Sequence, residues 1–330
     1  MNIKDIARLS ETSVATVSRV LNNDPKVASS TREKVLTVVK ENNFVLNVNS
    51  RMMRTKKSNK ILVIIPTIVN SFYSKILQGI EVRAEERGYD VLIAISNLEE
   101  AKEQKYLDML KTKQVDGCIS LFSLFEAEKI TALAEKYNFV QACEPTVGAK
   151  ISNVTVDNRQ AIYDVTSEFI KSGHKRIAII SGDYYKYSEW NRERGYKDAL
   201  VDHNIKYDES LIIKTYYRYR DGSEALEKLL ALKNPPTAVI CVSDSLAIGA
   251  INHLSSIGKK PGKDVSVIGF DNTSITSNYT PTISTIAQPR FELGTNAFDL
   301  LYEKLTGNES TPKSVILPYQ IIHRDSTKNE

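Results

Sequence analysis

Short apolar runs separated by amphipathic segments make up most of the chain after residue 60. Eight of these runs have the length and β-branched content of strands: 61–65, 90–96, 115–122, 138–143, 175–181, 211–215, 237–243 and 264–270. Between the first two runs, residues 73–87 repeat apolar positions at the spacing of one helix face. Strands that alternate with helices predict doubly wound parallel α/β sheets, and eight or more strands predict two of them. The cleft between two such lobes is a standard place for a small ligand.

The first 46 residues show a different pattern, which predicts three short helices. Ser13 is placed to cap the second helix, and Ser30 and Glu33 have the spacing of a capping box at the start of the third. Apolar positions from all three helices are expected to close a small core: Ile6, Val17, Leu21, Val35, Val38, Val39 and Phe44.

The second helix, "VATVSRVLNN" at residues 14–23, carries side chains suited to DNA. A helix in the major groove presents its first residues to the base edges, where small side chains permit close approach. Val14 and Ala15 can contact thymine methyl groups, and Arg19 can reach a guanine or a phosphate. Thr16 and Ser18 can bind phosphate oxygens and set the register. The pattern therefore predicts a helix-turn-helix that reads double-stranded DNA.

Charge is unevenly distributed along the chain, whose formal net charge is +4. The first 57 residues contain 11 lysines and arginines against 5 aspartates and glutamates, which leaves the remainder near neutral. A basic head of this kind favours contact with a polyanion. Residues 47–60 are polar and basic, with few apolar anchors, and are predicted to form a linker that orders on binding.

Composition restricts the remaining function classes. The sequence contains neither an apolar run of about 20 residues nor a signal-peptide pattern, so no membrane partner is expected. The three cysteines lie far apart in or beside apolar runs and are interpreted as buried thiols in a reducing cytoplasm. Glycine-rich nucleotide loops, histidine clusters with metal spacing and a nucleophile elbow are all missing from the sequence. We therefore expect neither an enzyme nor a cofactor or metal.

Several sequence blocks together resemble one known family. "IKDIARLSETSVATVSRVLNN", "RMMRTKKS", "GHKRIAIISG", "NRERGYKDAL", "PPTAVICVSDSLAIGAI", "DVSVIGFDN" and "TISTIAQPRFELG" occur in the order found in the lactose-repressor (LacI/GalR) family of bacterial transcription regulators. The resemblance extends over essentially the whole chain. It implies a three-helix DNA-binding domain, a hinge helix, and a two-lobed core like that of periplasmic binding proteins.

The resemblance also implies domain boundaries. The DNA-binding domain is expected at residues 1–46, the hinge at 47–59, and the effector-binding and dimerisation core at 60–330. Within the core, the N-lobe is expected to comprise about 60–158 and 289–317, and the C-lobe about 159–288 and 318–330.

For DNA binding, the resemblance implies a homodimer on a near-palindromic operator, with the hinge in the minor groove. Met53 replaces the family's usual leucine as an apolar wedge between base steps. Asn22, Arg51 and Arg54 complete the expected DNA contacts. Leu46 replaces a common proline, and Glu11 replaces the usual glycine of the helix-turn-helix turn, at an energetic cost if that position needs a positive φ.

For the effector, the resemblance implies a site in the cleft. Its expected residues are Phe72, Tyr73, Arg192, Tyr217, Ser243, Asp244, Asp271 and Gln288. A carboxylate and an arginine can grip hydroxyl groups in complementary directions, while aromatic faces cover the apolar side of a ring. The tyrosines of "GDYYKYSEW", namely Tyr184, Tyr185 and Tyr187, are weaker candidates because packing or surface roles explain them equally well.

The sequence thus predicts a cytoplasmic DNA-binding regulator, a repressor, controlled by a sugar, sugar phosphate or nucleoside. Two alternatives keep the same fold: a catabolite-control-type regulator with a phosphocarrier protein as partner, and a solute-binding module. An enzyme acting on a sugar or nucleoside is a third alternative, which no catalytic motif supports.

Overall fold

The computed structural model describes residues 1–21, 24–44, 57–183, 186–309 and 311–327. The chain forms two compact units, Met1–Ser58 and Asn59–Glu330. The expected contacts Asn22, Arg51, Met53 and Arg54, together with Leu46, lie outside the described residues.

The first unit contains three helices, as predicted: α1 (Ile3–Leu9), α2 (Val14–Leu21) and α3 (Ser29–Glu41). One small core holds them together. Its buried members are Ile6, Ala7, Val17, Val20 and Val35. Leu21, Val38, Val39 and Phe44 pack against this cluster at its edge, which confirms the predicted core.

The helix starts of this unit match the sequence prediction in one case and contradict it in the other. Ser13 caps α2, since its Oγ accepts a hydrogen bond from the Thr16 amide at 3.0 Å. The capping box predicted at Ser30 and Glu33 is wrong, because α3 already begins at Ser29, and Ser30 lies inside its first turn. Ala28 precedes that helix and makes no side-chain cap.

The turn between α1 and α2 has a positive φ at Glu11, the position where the resembling family usually has glycine. Glu11 has a φ of 51°, in the left-handed region that favours glycine. The Glu11 carboxylate lies 2.5 Å from the Lys34 ammonium of α3. This neighbour lowers the pKa of Glu11. The strained turn is thus tied to the third helix by an exposed ion pair.

The second unit alternates strands and helices. Its strands are β1 (Lys60–Ile65), β2 (Asp90–Ile95), β3 (Gly117–Ser120), β4 (Phe139–Ala142), β5 (Asn153–Val156), β6 (Ile177–Gly182), β7 (Ile212–Thr215), β8 (Ala238–Cys241), β9 (Ser266–Phe270), β10 (Ser284–Ala287), β11 (Ser314–Leu317) and β12 (Gln320–Ile322). Its α-helices are α4 (Phe72–Glu86), α5 (Glu100–Lys111), α6 (Ala127–Lys136), α7 (Asn158–Lys171), α8 (Tyr187–Asp202), α9 (Tyr219–Leu230), α10 (Asp244–Ser256), α11 (Ile275–Asn278) and α12 (Arg290–Thr306).

The strands form two six-stranded sheets, with the orders β11-β5-β4-β3-β1-β2 and β12-β10-β9-β8-β6-β7. We call the part built on the first sheet the N-lobe and the part built on the second the C-lobe. All eight predicted strands are present. Neighbouring strands run parallel, except that the edge strand β12 pairs antiparallel with β10.

The chain passes between the lobes where β5 leads into α7, where β10 leads into α12, and where β11 leads into β12. Because of these crossings, α7 packs on α8 in the C-lobe and α12 packs on α4 in the N-lobe. Each lobe is therefore built from separated segments of the chain, and the carboxyl ends of both sheets face one cleft. Among the described residues, none of the helices has the length and apolar character needed to cross a membrane.

Two glycines let the backbones of α4 and α12 approach closely. A Cβ atom at Gly79 would lie 2.2 Å from the carbonyl oxygen of Phe291, and one at Gly294 would lie 2.1 Å from the carbonyl oxygen of Ile76. The obstructing atoms belong to the backbone, so a side chain here cannot be accommodated by a rotamer change.

We therefore expect Gly79→Ala to lower the free energy of unfolding of the core unit by about 1–3 kcal/mol, because the two helices must move apart. Chemical denaturation of the full chain measures this. Glu81→Ala, at an exposed position of the same helix, is the control and should change the stability little. Equal stability of the two variants would show that the close packing is not required.

Candidate functional site

Helix α2 has one buried face and one exposed face. Val17 and Val20 are buried in the small core of the first unit. On the other face Val14 is 41% exposed, and Ala15 and Arg19 are also exposed. Thr16 and Ser18 lie at the border and are partly buried. The predicted DNA-contacting side chains of this helix therefore share an accessible surface next to the Ser13 cap.

A cavity of about 380 Å³ lies between the lobes of the second unit. Segments that directly follow β1, β3, β4, β8, β9 and β10 contribute to its wall. Its ionisable lining comprises Glu144, Lys186, Glu189, Arg192, Arg218 and Asp271, together with Cys143 and four tyrosines. Its aromatic lining comprises Phe72, Tyr73, Phe122, Tyr216, Tyr217 and Tyr219. The cavity has the volume and the mixed lining of a small-molecule site.

Asp271 stands at the end of β9 in a strained conformation. Its φ is 111°, which is unfavourable for a residue with a side chain. Its Oδ1 accepts a hydrogen bond of 2.7 Å from the amide nitrogen Nε2 of Gln288. Burial, with the nearby Asp244 carboxylate, raises the pKa of Asp271. The structure thus keeps a destabilised carboxyl group at the wall of the cavity.

Arg192 enters the cavity from α8. Its Nε donates to Oδ1 of Asn158 at 2.8 Å, and its Nη1 donates to the carbonyl oxygen of Val242 at 3.0 Å. The guanidinium lies over the ring of Phe270, 3.9 Å from the ring centre. These contacts join the starts of α7 and α10 to α8 and hold the charged group in one orientation.

Glu189 lies one turn before Arg192 and is buried. Its Oε2 accepts hydrogen bonds from the Ser181 hydroxyl at 2.7 Å and from the Gly182 amide at 2.8 Å. Its Oε1 accepts the hydroxyl hydrogen of Tyr217 and lies 3.6 Å from Nη1 of Arg192. Glu189 therefore fixes both the tyrosine ring and the arginine at the cavity.

Glu144 follows β4 in the N-lobe and bonds across the cleft to the C-lobe. It accepts a hydrogen bond of 2.9 Å from the Ser188 amide and another from the Ser188 hydroxyl. Burial raises the pKa of Glu144. Lys186 makes a second bond across the cleft, donating to the carbonyl oxygen of Ser123 at 2.9 Å. These two contacts join the lobes at the start of α8.

The two central tyrosines stay neutral phenols. Burial raises the pKa of Tyr73 and of Tyr217 well above the ordinary value, and nearby carboxylates add to the shift. The ring of Phe72 meets that of Tyr73 edge to face, with 5.1 Å between centres. The cavity therefore offers phenol hydroxyls and ring surfaces together.

Six of the eight predicted effector residues line this cavity: Phe72, Tyr73, Arg192, Tyr217, Asp271 and Gln288. Ser243 and Asp244 do not belong to the lining. Ser243 caps α10, its Oγ accepting from the Leu246 amide at 3.2 Å. Oδ2 of Asp244 accepts hydrogen bonds from Thr273, and its Oδ1 accepts one from Thr285. The Asp244 carboxylate therefore connects α10 to the segment after β9 and to β10. In the structure these two residues support the wall of the cavity.

Of the three weaker tyrosine candidates, only Tyr187 belongs to the described residues. Tyr187 is partly buried at the start of α8 and is not part of the lining. Tyr184 and Tyr185 lie outside the described residues. Two further tyrosines of residues 216–220, Tyr216 and Tyr219, line the cavity beside Tyr217.

Sequence reasoning missed Glu144, Lys186 and Glu189. Glu144 had a usable signal, since it directly follows an apolar strand, just as Asp271 does. Glu189 had none, because its partners lie on β6 and on the segment after β7.

All three cysteines are free thiols, and two of them are buried as predicted. Cys118 and Cys241 are buried free thiols, and Cys143 is a partly buried free thiol at the cavity. In the five described ranges, histidine, cysteine, aspartate and glutamate side chains form no group of three or more that could hold a metal ion.

Models of known protein families match both units of the chain. Residues 2–47 match the model of bacterial regulatory proteins of the lacI family. Residues 58–325 match the model of periplasmic binding proteins and the sugar binding domain of the LacI family. The chain belongs to the LacI family. The resemblance stated from the sequence motifs is thereby confirmed.

Individual LacI-family relatives match over nearly their full length. The HTH-type transcriptional repressor CytR of Escherichia coli (strain K12) is 36% identical over 329 residues, which cover 99% of this chain and 96% of that protein. Catabolite control protein A of Priestia megaterium is 35% identical over 331 residues, 99% of each chain. The Lac repressor dimer bound to operator and the anti-inducer ONPF shares the fold, with a TM-score of 0.90 at 23% identity over 100% of this chain and 99% of that one.

Membership of the LacI family establishes the general function. The chain is a transcription regulator with an N-terminal helix-turn-helix and an effector-binding core, and not an enzyme. A solute-binding module without DNA-binding activity is inconsistent with the matched head, residues 2–47.

The raised pKa of Asp271 makes a prediction about stability and pH. An unfolded aspartate ionises near pH 4, whereas burial raises the pKa of Asp271 in the folded protein to about 8. Between these values folding must take up a proton, and this cost to stability grows with pH. Asp271→Asn removes this cost, about 1.4 kcal/mol for each unit of pKa shift. We expect the variant to melt at a higher temperature than the native chain at pH 8, and the difference to shrink at pH 5.

Thermal unfolding at the two pH values measures the effect. Asp90→Asn, at an exposed position of β2, is the control and should show no pH-dependent difference. A variant that is less stable than the native chain at pH 8 would contradict the expected strain at Asp271.

Proposed function

We propose that this LacI-family chain is a cytoplasmic repressor that acts as a homodimer and releases or binds its operator in response to a sugar, sugar phosphate or nucleoside. The observation that carries the proposal is the interlobe cavity, where Asp271 and Arg192 stand beside the rings of Tyr73 and Tyr217. Hydroxyl groups on a ring match the polar pair, and the ring faces match the aromatic side chains. The repressor CytR and the operator-bound Lac repressor dimer support the same reading by similarity.

The proposed effector site comprises Phe72, Tyr73, Arg192, Tyr217, Asp271 and Gln288, with Glu144 and Glu189 added from the structure. A ligand bound between the lobes contacts both, so its affinity depends on how they are arranged. Control then follows as a population shift between lobe arrangements that differ in operator affinity. A phosphocarrier protein as the partner of the core stays the alternative to a small effector. The small effector is favoured because the described residues form a cavity that such a ligand can fill.

On the DNA side we propose that Val14, Ala15, Thr16, Ser18 and Arg19 face the operator, and that Asn22, Arg51, Met53 and Arg54 extend the contact. The exposed face of α2 carries this proposal. Its valine and alanine can pack on thymine methyls, and its arginine supplies a charged donor for guanine or phosphate.

Arg19→Ala should weaken binding to an operator selected from a random DNA pool at least tenfold, because a direct base or phosphate contact is lost. Fluorescence anisotropy at fixed salt measures the dissociation constant. Lys40→Ala, at the exposed end of α3, removes the same charge elsewhere and is the matched control. An equal loss in both variants would show that charge alone matters and that α2 does not read the operator.

Effector binding is tested by thermal melting of the full chain against sugars, sugar phosphates and nucleosides. A ligand at 100 times its dissociation constant adds about 2.7 kcal/mol of stability. Asp271→Asn should lose most of that shift, although we expect its unliganded form to be more stable. Asp90→Asn should keep the full shift. A shift that survives unchanged in Asp271→Asn would place the ligand elsewhere.

A further inference from the structure

Each positive side chain that lines the cavity already has acceptors within the protein. Lys186 donates to the carbonyl oxygen of Ser123, and Arg218 donates to both oxygens of Asp221 at 2.9 Å. Arg192 donates to Asn158 and to the Val242 carbonyl, and its charge faces Glu189 at 3.6 Å. An anionic ligand would have to compete with these partners for every lining cation in the described part of the cavity.

Helix N-termini are the other common anion sites in proteins, and five helices start at this cavity. In each, a side chain of the protein already accepts a hydrogen bond from an amide at the start of the helix. Asn70 accepts from the Phe72 amide of α4 at 2.9 Å, and Glu144 accepts from the Ser188 amide of α8 at 2.9 Å. The same holds for α7, α9 and α10, whose acceptors are Asp157, Asp221 and Ser243. Three of the five acceptors are carboxylates, which already use the favourable end of the helix dipole.

The carboxylates make the inner cavity unfavourable for added negative charge. Burial is the main reason that the pKa values of Cys143, Tyr73 and Tyr217 are raised, and the lining acidic groups add to each shift. Each of these groups is held in its neutral form. A phosphate group with a charge near −2 would meet the same field.

We propose that the effector is an uncharged, hydroxyl-bearing molecule and that the cleft rejects its phosphorylated form. This inference rests on the proposed function and narrows its three ligand classes to free sugars and nucleosides. Hydroxyl groups of such a ligand donate to Asp271 and meet the phenols of Tyr73 and Tyr217. Discrimination comes from the lining acidic groups Glu144 and Glu189, because the cations and helix ends that would balance a phosphate are bound internally.

The test is isothermal titration of the full chain with matched pairs. Each pair contains a compound and its phosphate: ribose and ribose 5-phosphate, glucose and glucose 6-phosphate, and the common nucleosides with their 5′-monophosphates. We expect the unphosphorylated member of a binding pair to bind at least tenfold more tightly. A phosphorylated member that binds equally well or better would overturn this inference and leave the proposed function intact.

A variant separates charge from shape. Glu144→Gln keeps an oxygen acceptor for Ser188 and removes one negative charge, so the preference for the unphosphorylated member should fall severalfold. Glu189→Gln is the second variant if the first fails to fold, and Glu81→Gln on the exposed face of α4 is the control with an unchanged preference. A preference that stays the same in the folded variant would overturn the electrostatic cause. Failure of every pair to bind at millimolar concentration would overturn the proposed function and this inference with it.

Discussion

The buried carboxylate of Glu189 holds several elements of the cleft in fixed positions. A charge at this depth is costly unless donors surround it. Ser181 and Gly182 supply them from the end of β6, Tyr217 supplies one from the segment after β7, and Arg192 lies opposite. The space for this arrangement depends on Gly182, where an added Cβ would lie 2.7 Å from the Tyr217 hydroxyl oxygen and 2.9 Å from the Glu189 carboxyl carbon. Strand end, aromatic wall and guanidinium are positioned together.

The two units solve different packing problems. The head has a small buried cluster, so each helix can bury only a narrow stripe and must leave the rest exposed. That requirement gives α2 its open face. The core unit is large enough to bury both faces of its sheets at the central strands, so β1, β6, β8 and β9 are buried and predominantly apolar. The acidic residues Glu144 and Asp271 lie just after strands, where the cavity is.

Much of the fold could be predicted because apolar periodicity reflects burial directly. The eight long apolar runs are all strands, and the amphipathic segment after β1 is helix α4, Phe72–Glu86. The missed strands β5, β10, β11 and β12 have three or four residues each, and several carry polar side chains, so they depend on pairing rather than on local pattern. The direction of β12 was also unpredictable, since an antiparallel edge strand follows from where the chain crosses between lobes.

The site was predictable only in part, for a related reason. Family motifs predicted Asp271 and Arg192, which line the cavity, but the same motifs included Ser243 and Asp244, which hold α10 and its neighbours in place. Whether a polar residue faces a cavity or supports its wall depends on contacts across the fold. Glu144 illustrates this, because its partner Ser188 lies 44 positions away in sequence and in the other lobe.

The free energy that an effector must supply to shift the lobe arrangement restricts the chemistry of the ligand. Moving a two-state equilibrium from 1:99 to 99:1 requires about 5.5 kcal/mol of differential binding. The hydrogen bonds of Ser188 to Glu144 and of Lys186 to Ser123 join the lobes, so an effector that shifts their arrangement must add contacts or replace these. A net hydrogen bond contributes about 0.5–1.5 kcal/mol, so several are needed at once, together with buried ring surface. A ring that carries several hydroxyl groups provides both, and it does so without placing a further negative charge beside Glu144 and Glu189.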